Sequence, residues 1–272
     1  MKSGRTGGME RIGKETNMRL EAVGKSDIGK RRENNQDAFG IYQKDGAGMY
    51  VVADGMGGHA DGEKASRIVV TELSNWWNAF SPVLFGADFR KMMSSIEQTV
   101  AYANERIYAE YNKGEICGTT AVVLFIYKDS YGIIYAGDSR CYLWGRQGNS
   151  LLGGKKWKQM TVDEVWENQP ERSPEERRSQ SHPNRGKLVN AIGIKKSIRC
   201  RIITDRIPAG AVFLLCSDGL YKFCAERFLK KAMKTCADQN AMAEILDGLI
   251  GRVYENGAKD NVTAVLVRCS EK

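Results

Sequence analysis

Five aspartates carry the chemistry that this sequence can be read for. They stand in Arg32-Glu33-Asn34-Asn35-Gln36-Asp37, Asp54-Gly55-Met56-Gly57-Gly58-His59, Gly137-Asp138-Ser139-Arg140, Ser217-Asp218-Gly219 and Lys259-Asp260-Asn261. Taken singly, an Asp-Gly or Asp-Asn pair is an ordinary turn, because both residue types suit turn backbones for local reasons. Taken together, they are carboxylates where strands end, and such ends are rigid enough to hold a fixed geometry. Aspartates gathered without basic partners repel one another and raise their pKa values unless cations neutralise them, so the set predicts metal. Oxygen donors, in a chain with 2 histidines, favour the hard ions Mg²⁺ or Mn²⁺ over zinc or copper. Two such ions about 3.5–4 Å apart can share a water, lower its pKa and present it in line with phosphorus, with no protein nucleophile needed. Arg32 lies five residues before Asp37. Its planar guanidinium suits two phosphate oxygens, and equally suits a solvated position beside Lys30 and Arg31.

Strands and turns must place these residues. The sequence becomes strand-like from Arg19, and the apolar run Met49 to Ala53 ends at Asp54-Gly55, a strand entering a turn. Helical spacing follows over Glu63 to Phe80, through Ala65, Val69 and Leu73 with Trp76 or Trp77. It recurs over Phe89 to Tyr111, through Met92, Ile96, Val100, Ala103 and Ile107. Short strands are expected at Thr119–Tyr127, Tyr131–Ala136, Cys141–Trp144, Ile198–Ile203, Val212–Cys216 and Val262–Arg268, with a helix pair across Ala225 to Tyr254. Lys155 to Gly193 breaks this regularity. Within it, Ser173-Pro174-Glu175-Glu176 reads as a helix start, with Ser173 as N-cap, Pro174 at N1 and Glu176 at N3. The order of elements predicts an α+β domain, its sheets packed on each other and its helices outside.

Bulk properties bound the rest. At 272 residues, 42% hydrophobic and 27% charged, the chain can bury one large core. No apolar stretch approaches the ~20 residues of a membrane span, and no signal-like apolar region follows the basic N-terminus, so a cytoplasmic protein off the membrane is expected. Residues 1–17 read as a flexible tail before a single domain over 18–272. The 7 cysteines include no closely spaced pair and read as reduced core thiols. Lys155 to Arg206 holds thirteen basic and seven acidic residues of a chain whose net charge is +8. That segment either attracts acidic or phosphorylated partners or is a solvated surface. Nucleic-acid binding has no motif to support it.

The five aspartate motifs, together with Ser26-Asp27-Ile28-Gly29 and Gly118-Thr119-Thr120, resemble the type 2C metal-dependent protein phosphatases in their bacterial form, in the family's order from about Arg19 to the C-terminus. The resemblance implies a central β-sandwich of two antiparallel sheets flanked by helices on both sides, and dephosphorylation of phosphoserine and phosphothreonine proteins, a serine/threonine kinase among them. By matched position, Asp54 would bridge two metals and the Gly55 carbonyl would ligate one. Asp218 and Asp260 would complete that ion's shell, and Asp37 would hold the second ion mainly through water. Asp54, Asp218 and Asp260 are thus the catalytic candidates, and Arg32 is the phosphate-binding one. Asp138, with Asp218, matches the place of a third, weaker metal. The insertion at about 155–183 corresponds to the family's flap. A monomer is the default expectation.

Two positions depart from the family pattern. Gln36 stands where many members have Glu, and Met56 stands where eukaryotic members carry a histidine proposed as general acid. His59 is nearby but reads as structural, and a metal-bound water is the preferred proton donor. Two rival readings exist. Cys200 and Arg206 have the Cys-x5-Arg spacing of cysteine-dependent phosphatases, but the residues between them look like a strand without glycine. The other rival is a catalytically silent module of the same fold that binds phosphoproteins, whose signature would be missing metal aspartates.

Overall fold

The structure is a computed structural model that describes residues 18–44, 46–57, 61–111, 116–146, 154–238 and 241–271. The tail expected over 1–17, Gly58 and His59 lie outside these residues. Eleven strands are described: β1 (Met18–Asp27), β2 (Asp37–Lys44), β3 (Ala47–Met56), β4 (Gly118–Thr119), β5 (Ala121–Tyr127), β6 (Ser130–Ala136), β7 (Arg140–Arg146), β8 (Lys155–Gln159), β9 (Arg201–Arg206), β10 (Val212–Cys216) and β11 (Val262–Glu271). The α-helices are α1 (Asp61–Ala79), α2 (Phe89–Tyr111), α3 (Pro174–Arg178), α4 (Asp218–Tyr221), α5 (Glu226–Asp238) and α6 (Met242–Glu255).

One sheet has the order β1-β11-β10-β7-β8 and the other β2-β3-β5-β6-β9, with β4 added to the end of β3. Every pairing within them is antiparallel. The two-residue period of a strand explains how they stack. Along β5, Val122, Leu124 and Ile126 face the other sheet, while Ala121, Val123 and Phe125 face α1 and α2. Along β10, Phe213 and Leu215 face inward, while Val212, Leu214 and Cys216 meet α5 and α6. A central strand flanked on both faces therefore reads as an unbroken apolar run. The outcome is the expected sandwich, with α1 and α2 on one outer face and α5 and α6 on the other. Phe125 is fully buried, and truncating it to alanine would cost roughly 3–5 kcal/mol.

The helix expected over 89–111 spans those residues, and Met92, Ile96, Val100 and Ile107 are its buried stripe. Ser173 caps α3 with the reciprocal bonds to Glu176 that the sequence predicts. Several elements differ from expectation. β2 and α4 were not anticipated, and the strand expected over 119–127 is divided at Thr120 into β4 and β5. Residues 155–159, at the head of the irregular segment, form β8 on β7. The strand expected at 198–203 lies at 201–206. β9 is an edge strand, and most of its residues are exposed. Backbone pairing with β6 fixes its limits, so Thr204-Asp205-Arg206 extends it although none is apolar.

Candidate active site

The aspartates meet because the two sheets end together. Antiparallel pairing sets Asp37, at the start of β2, directly across from Asp54 near the end of β3. The main chain of Asp54 is locked by the Gly118-Thr119-Thr120 segment. Its carbonyl accepts from Thr120 N at 2.8 Å and Thr119 Oγ1 at 2.9 Å, and its N–H donates to Thr120 Oγ1 at 3.1 Å. Thr120 Oγ1 also bonds Ser139 Oγ at 2.7 Å, which ties this strand end to the Gly137–Arg140 turn. In the other sheet, β10 runs into Ser217-Asp218 and its neighbour β11 begins after Asp260-Asn261, so those two acids arrive side by side. Asp54, Gly55, Asp138, Asp218 and Asp260 line one cavity of about 660 Å³, with Arg32, Met56, Lys187, Lys195 and Lys222. A larger groove of about 760 Å³ lies at the opposite strand ends, beside Arg146, Lys158 and Arg206. Among the described residues that line it Asp205 is the one carboxylate, so volume alone does not locate the chemistry.

Two residues that neighbour the aspartates in the chain, Asn261 and Ser217, organise the site. Asn261 is buried, donates from Nδ2 to the carbonyls of Ile28 at 2.9 Å and Asn34 at 3.0 Å, and accepts at Oδ1 from Gln36 N at 2.9 Å. It therefore fixes both ends of the loop that carries Arg32. Ser217 is also buried, donating from Oγ to Asp37 Oδ2 at 2.7 Å and accepting there from Thr263 N at 3.0 Å. Asx-type and strand-end hydroxyl positions are the only signals in the sequence that could have marked them.

Burial and mutual repulsion shape the electrostatics. Burial, with the charges of Asp37, Asp218, Asp138 and Asp260, holds the Asp54 carboxyl well above the usual range. Burial pushes Asp37 up to about 7, against the bond from Ser217, and Asp218 and Asp260 push it the same way. Asp138 is pushed up to about 6 by burial and then by Asp218. Asp37 Oδ1 is buried with no hydrogen-bond partner among the described residues. An orphaned buried carboxylate oxygen beside further carboxylates fits a hard divalent cation, because that ion takes oxygen donors and removes the repulsion.

One expectation needs correction. The aspartates are not without basic partners: Lys222 Nζ donates to Asp218 Oδ2, and Arg32 forms a two-bonded fork with Asp260. Among the described residues, no three acidic, histidine or cysteine side chains form a ligand-like cluster. Mutual repulsion gives the physical reason, since Asp218 and Asp260 are each turned onto a cation of the protein itself.

The segment after β8 closes one side of the cavity. Glu164 accepts from Gly137 N at 3.1 Å, Asn190 Nδ2 at 2.8 Å and Arg201 Nε at 2.9 Å, while Asp163 holds Arg140 in a fork at 2.9 and 2.6 Å. Both acids anchor the segment to the Gly137–Arg140 turn, leaving Lys187, Leu188 and Lys195 at the cavity wall. Cys200 is buried just before β9, and burial pushes its thiol up to about 12, the opposite of a thiolate nucleophile. Among the described residues, no helix is long and apolar enough to cross a membrane.

The fold and site define a class that comparison makes explicit. A sequence model of the protein phosphatase 2C family matches residues 23–266, and the chain belongs to that family. It is 28% identical over 255 residues to the serine/threonine phosphatase stp of Listeria monocytogenes, covering 91% of this chain and 95% of that protein. It is 31% identical over 252 residues to the serine/threonine protein phosphatase PstP of Mycobacterium tuberculosis, covering 91% of this chain and 44% of that one. The crystal structure of the PstP catalytic domain in complex with two manganese ions superposes with a TM-score of 0.70 at 26% identity, covering 93% of this chain and 100% of that one. The S. agalactiae serine/threonine phosphatase superposes with a TM-score of 0.76 at 25% identity, covering 92% of this chain and 99% of that one.

Proposed function

We propose that this chain is a metal-dependent serine/threonine phosphoprotein phosphatase that uses two Mn²⁺ or Mg²⁺ ions. The observation that carries this reading is the convergence of Asp54, Asp138, Asp218 and Asp260 on one cavity, with the orphaned oxygen of Asp37 behind it. Family membership and the manganese-bound relative support it. Asp54, the Gly55 carbonyl, Asp218 and Asp260 would hold one ion, and Asp54 with Asp37 the other. When bound, such ions supply Lewis acidity that acidifies a solvent nucleophile and polarises the phosphoryl group. The chain's own residues do the rest. Arg32, which lines the cavity, orients phosphate through its planar fork of donors. Thr119 and Thr120 fix the main chain of Asp54 and Ser217 holds the Asp37 carboxylate, whereas Asp260 would have to leave its Arg32 fork on loading. Met56 lines the cavity and has no proton to give.

The substrates are phosphorylated proteins, a serine/threonine kinase among them, met in the cytoplasm by a monomeric enzyme. The phosphatase domain runs over 18–272, and its flap, at about 155–183, contributes to substrate choice beside Lys187 and Lys195. The deciding experiment is hydrolysis of an aryl phosphate with Mn²⁺ and then with excess chelator, for the wild type and Asp54→Ala. Metal-dependent release lost in the variant supports the reading. Failure of the wild type to release phosphate at any Mn²⁺ concentration identifies a silent binding module instead.

A further inference from the structure

Lys222 lines the cavity, and no role in the reaction has yet been given to it. It caps α4 at its C-terminal end, four residues after Asp218, so one helical turn carries its ammonium back over that carboxylate. Nζ donates to Asp218 Oδ2 and lies in the field of Asp138 and Asp54 as well. Asp138 is engaged separately. The Tyr221 hydroxyl lies 3.1 Å from its main-chain oxygen and 3.3 Å from Oδ2. The Arg140 guanidinium covers the Tyr221 ring at 3.5 Å and is itself fixed by the Asp163 fork. The Asp138–Asp218 side of the acidic cluster is thus faced by groups of the protein: an ammonium on one carboxylate and a phenol on the other.

We propose that Lys222 is a built-in monovalent cation that occupies the Asp138–Asp218 side of the cluster, so that this chain loads two divalent ions and not a third. The inference rests on the phosphatase reading for what those two ions do. A third ion between Asp138 and Asp218 would have to displace the ammonium from Asp218 and then tolerate a like charge close by. The ammonium is tethered one turn away, so it competes at a high effective concentration that dilute metal must overcome. The lysine side chain is 51% exposed, so the pair adds little to fold stability and its effect falls on the competing ion.

Mn²⁺ binding to the full chain, counted by titration calorimetry and by electron paramagnetic resonance of the free ion, tests this without reference to turnover. The wild type is expected to saturate at two ions. Lys222→Met, which keeps the stem and removes the charge, is expected to take a third at least about tenfold more tightly than the wild type does. Adding Asp138→Asn to that variant should abolish the third site. Lys222→Gln serves as the second variant, and circular dichroism confirms that each is folded. Three ions in the wild type with affinities unchanged in both variants overturn the proposal. Two ions in all of them overturn it equally and leave the phosphatase reading standing. A wild type that binds no Mn²⁺ removes both.

Discussion

Arg32 and Asp260, 228 residues apart in the chain, meet in a fork, Nε to Oδ1 at 2.8 Å and Nη2 to Oδ2 at 3.0 Å. The proposed phosphate-binding arginine is therefore bonded to a proposed metal ligand, and ion loading would release it for substrate. The pair is partly exposed, 50% and 30%, so its own contribution to stability is about 1 kcal/mol or less. Arg32→Ala should raise KM for a phosphopeptide about tenfold or more, the worth of a hydrogen bond to a charged group, with a smaller effect on kcat. Its melting temperature should fall by no more than about 4 °C. A large drop in melting temperature with KM unchanged would make Arg32 structural.

Asp54 is held where its charged form is disfavoured by burial and by four neighbouring carboxylates. Asp54→Asn removes that charge while keeping the shape. In chelator, the variant should melt at or above the wild type. With Mn²⁺ the wild type should gain stability and the variant little, since a ligand stabilises only the state that binds it. Turnover should fall at least about a thousandfold, which corresponds to losing roughly 4 kcal/mol of transition-state stabilisation. An active variant with normal Mn²⁺ uptake would remove Asp54 from the site.

A carboxyl whose folded pKa exceeds its unfolded value binds more protons folded than unfolded between the two, so stability falls as pH rises through that window. For Asp37 the window runs from its ordinary 3.8 to about 7, and for Asp138 from 3.8 to about 6. Chelated protein should therefore lose melting temperature from pH 5 to pH 7.5, by about 3 °C or more, after the background slope of an Asp37→Asn/Asp138→Asn variant is subtracted. Saturating Mn²⁺ should flatten or reverse the trend, because the ions favour ionised carboxylates. Differential scanning fluorimetry across that range checks the sign.

Backbone proximity sets a further test. A Cβ on Gly219 would stand 1.9 Å from the main-chain oxygen of Asn261, which the buried Asn261 side chain holds in place. Gly219→Ala should destabilise the protein by about 1–3 kcal/mol, the usual cost of overpacking, and weaken Mn²⁺ binding by displacing Asp218. Gly248, exposed within α6, has nothing within 4 Å of such a Cβ. Gly248→Ala should instead stabilise by about 0.5–1 kcal/mol in urea denaturation, and equal effects at both glycines would refute the contact argument.

How far the sequence reached depended on the range of the interactions involved. Helical stripes in α1 and α2, the capping box of α3 and the apolar runs of β3, β5 and β10 are local patterns, so side-chain period and turn chemistry were enough to read them. The acidic residue types likewise carry the oxygen donors on which the proposed hard-metal chemistry rests. Strand limits on the sheet edges were not legible, because β8 and β9 owe their existence to backbone pairing with β7 and β6.

By itself, then, the sequence determined the side-chain types gathered at the site, the order of most elements and the core faces, each encoded within a few neighbouring residues. The Asp218-Lys222 spacing of four was available too, but it becomes an ion pair only once residues 218–221 are helical. Only the tertiary structure decided which carboxylate met which partner: Ser217 on Asp37 across 180 residues, Arg32 on Asp260 across 228, and Asn261 on the loop that carries Arg32. Sheet register sets those contacts, and register is a property of how distant strands pair, which no single segment encodes.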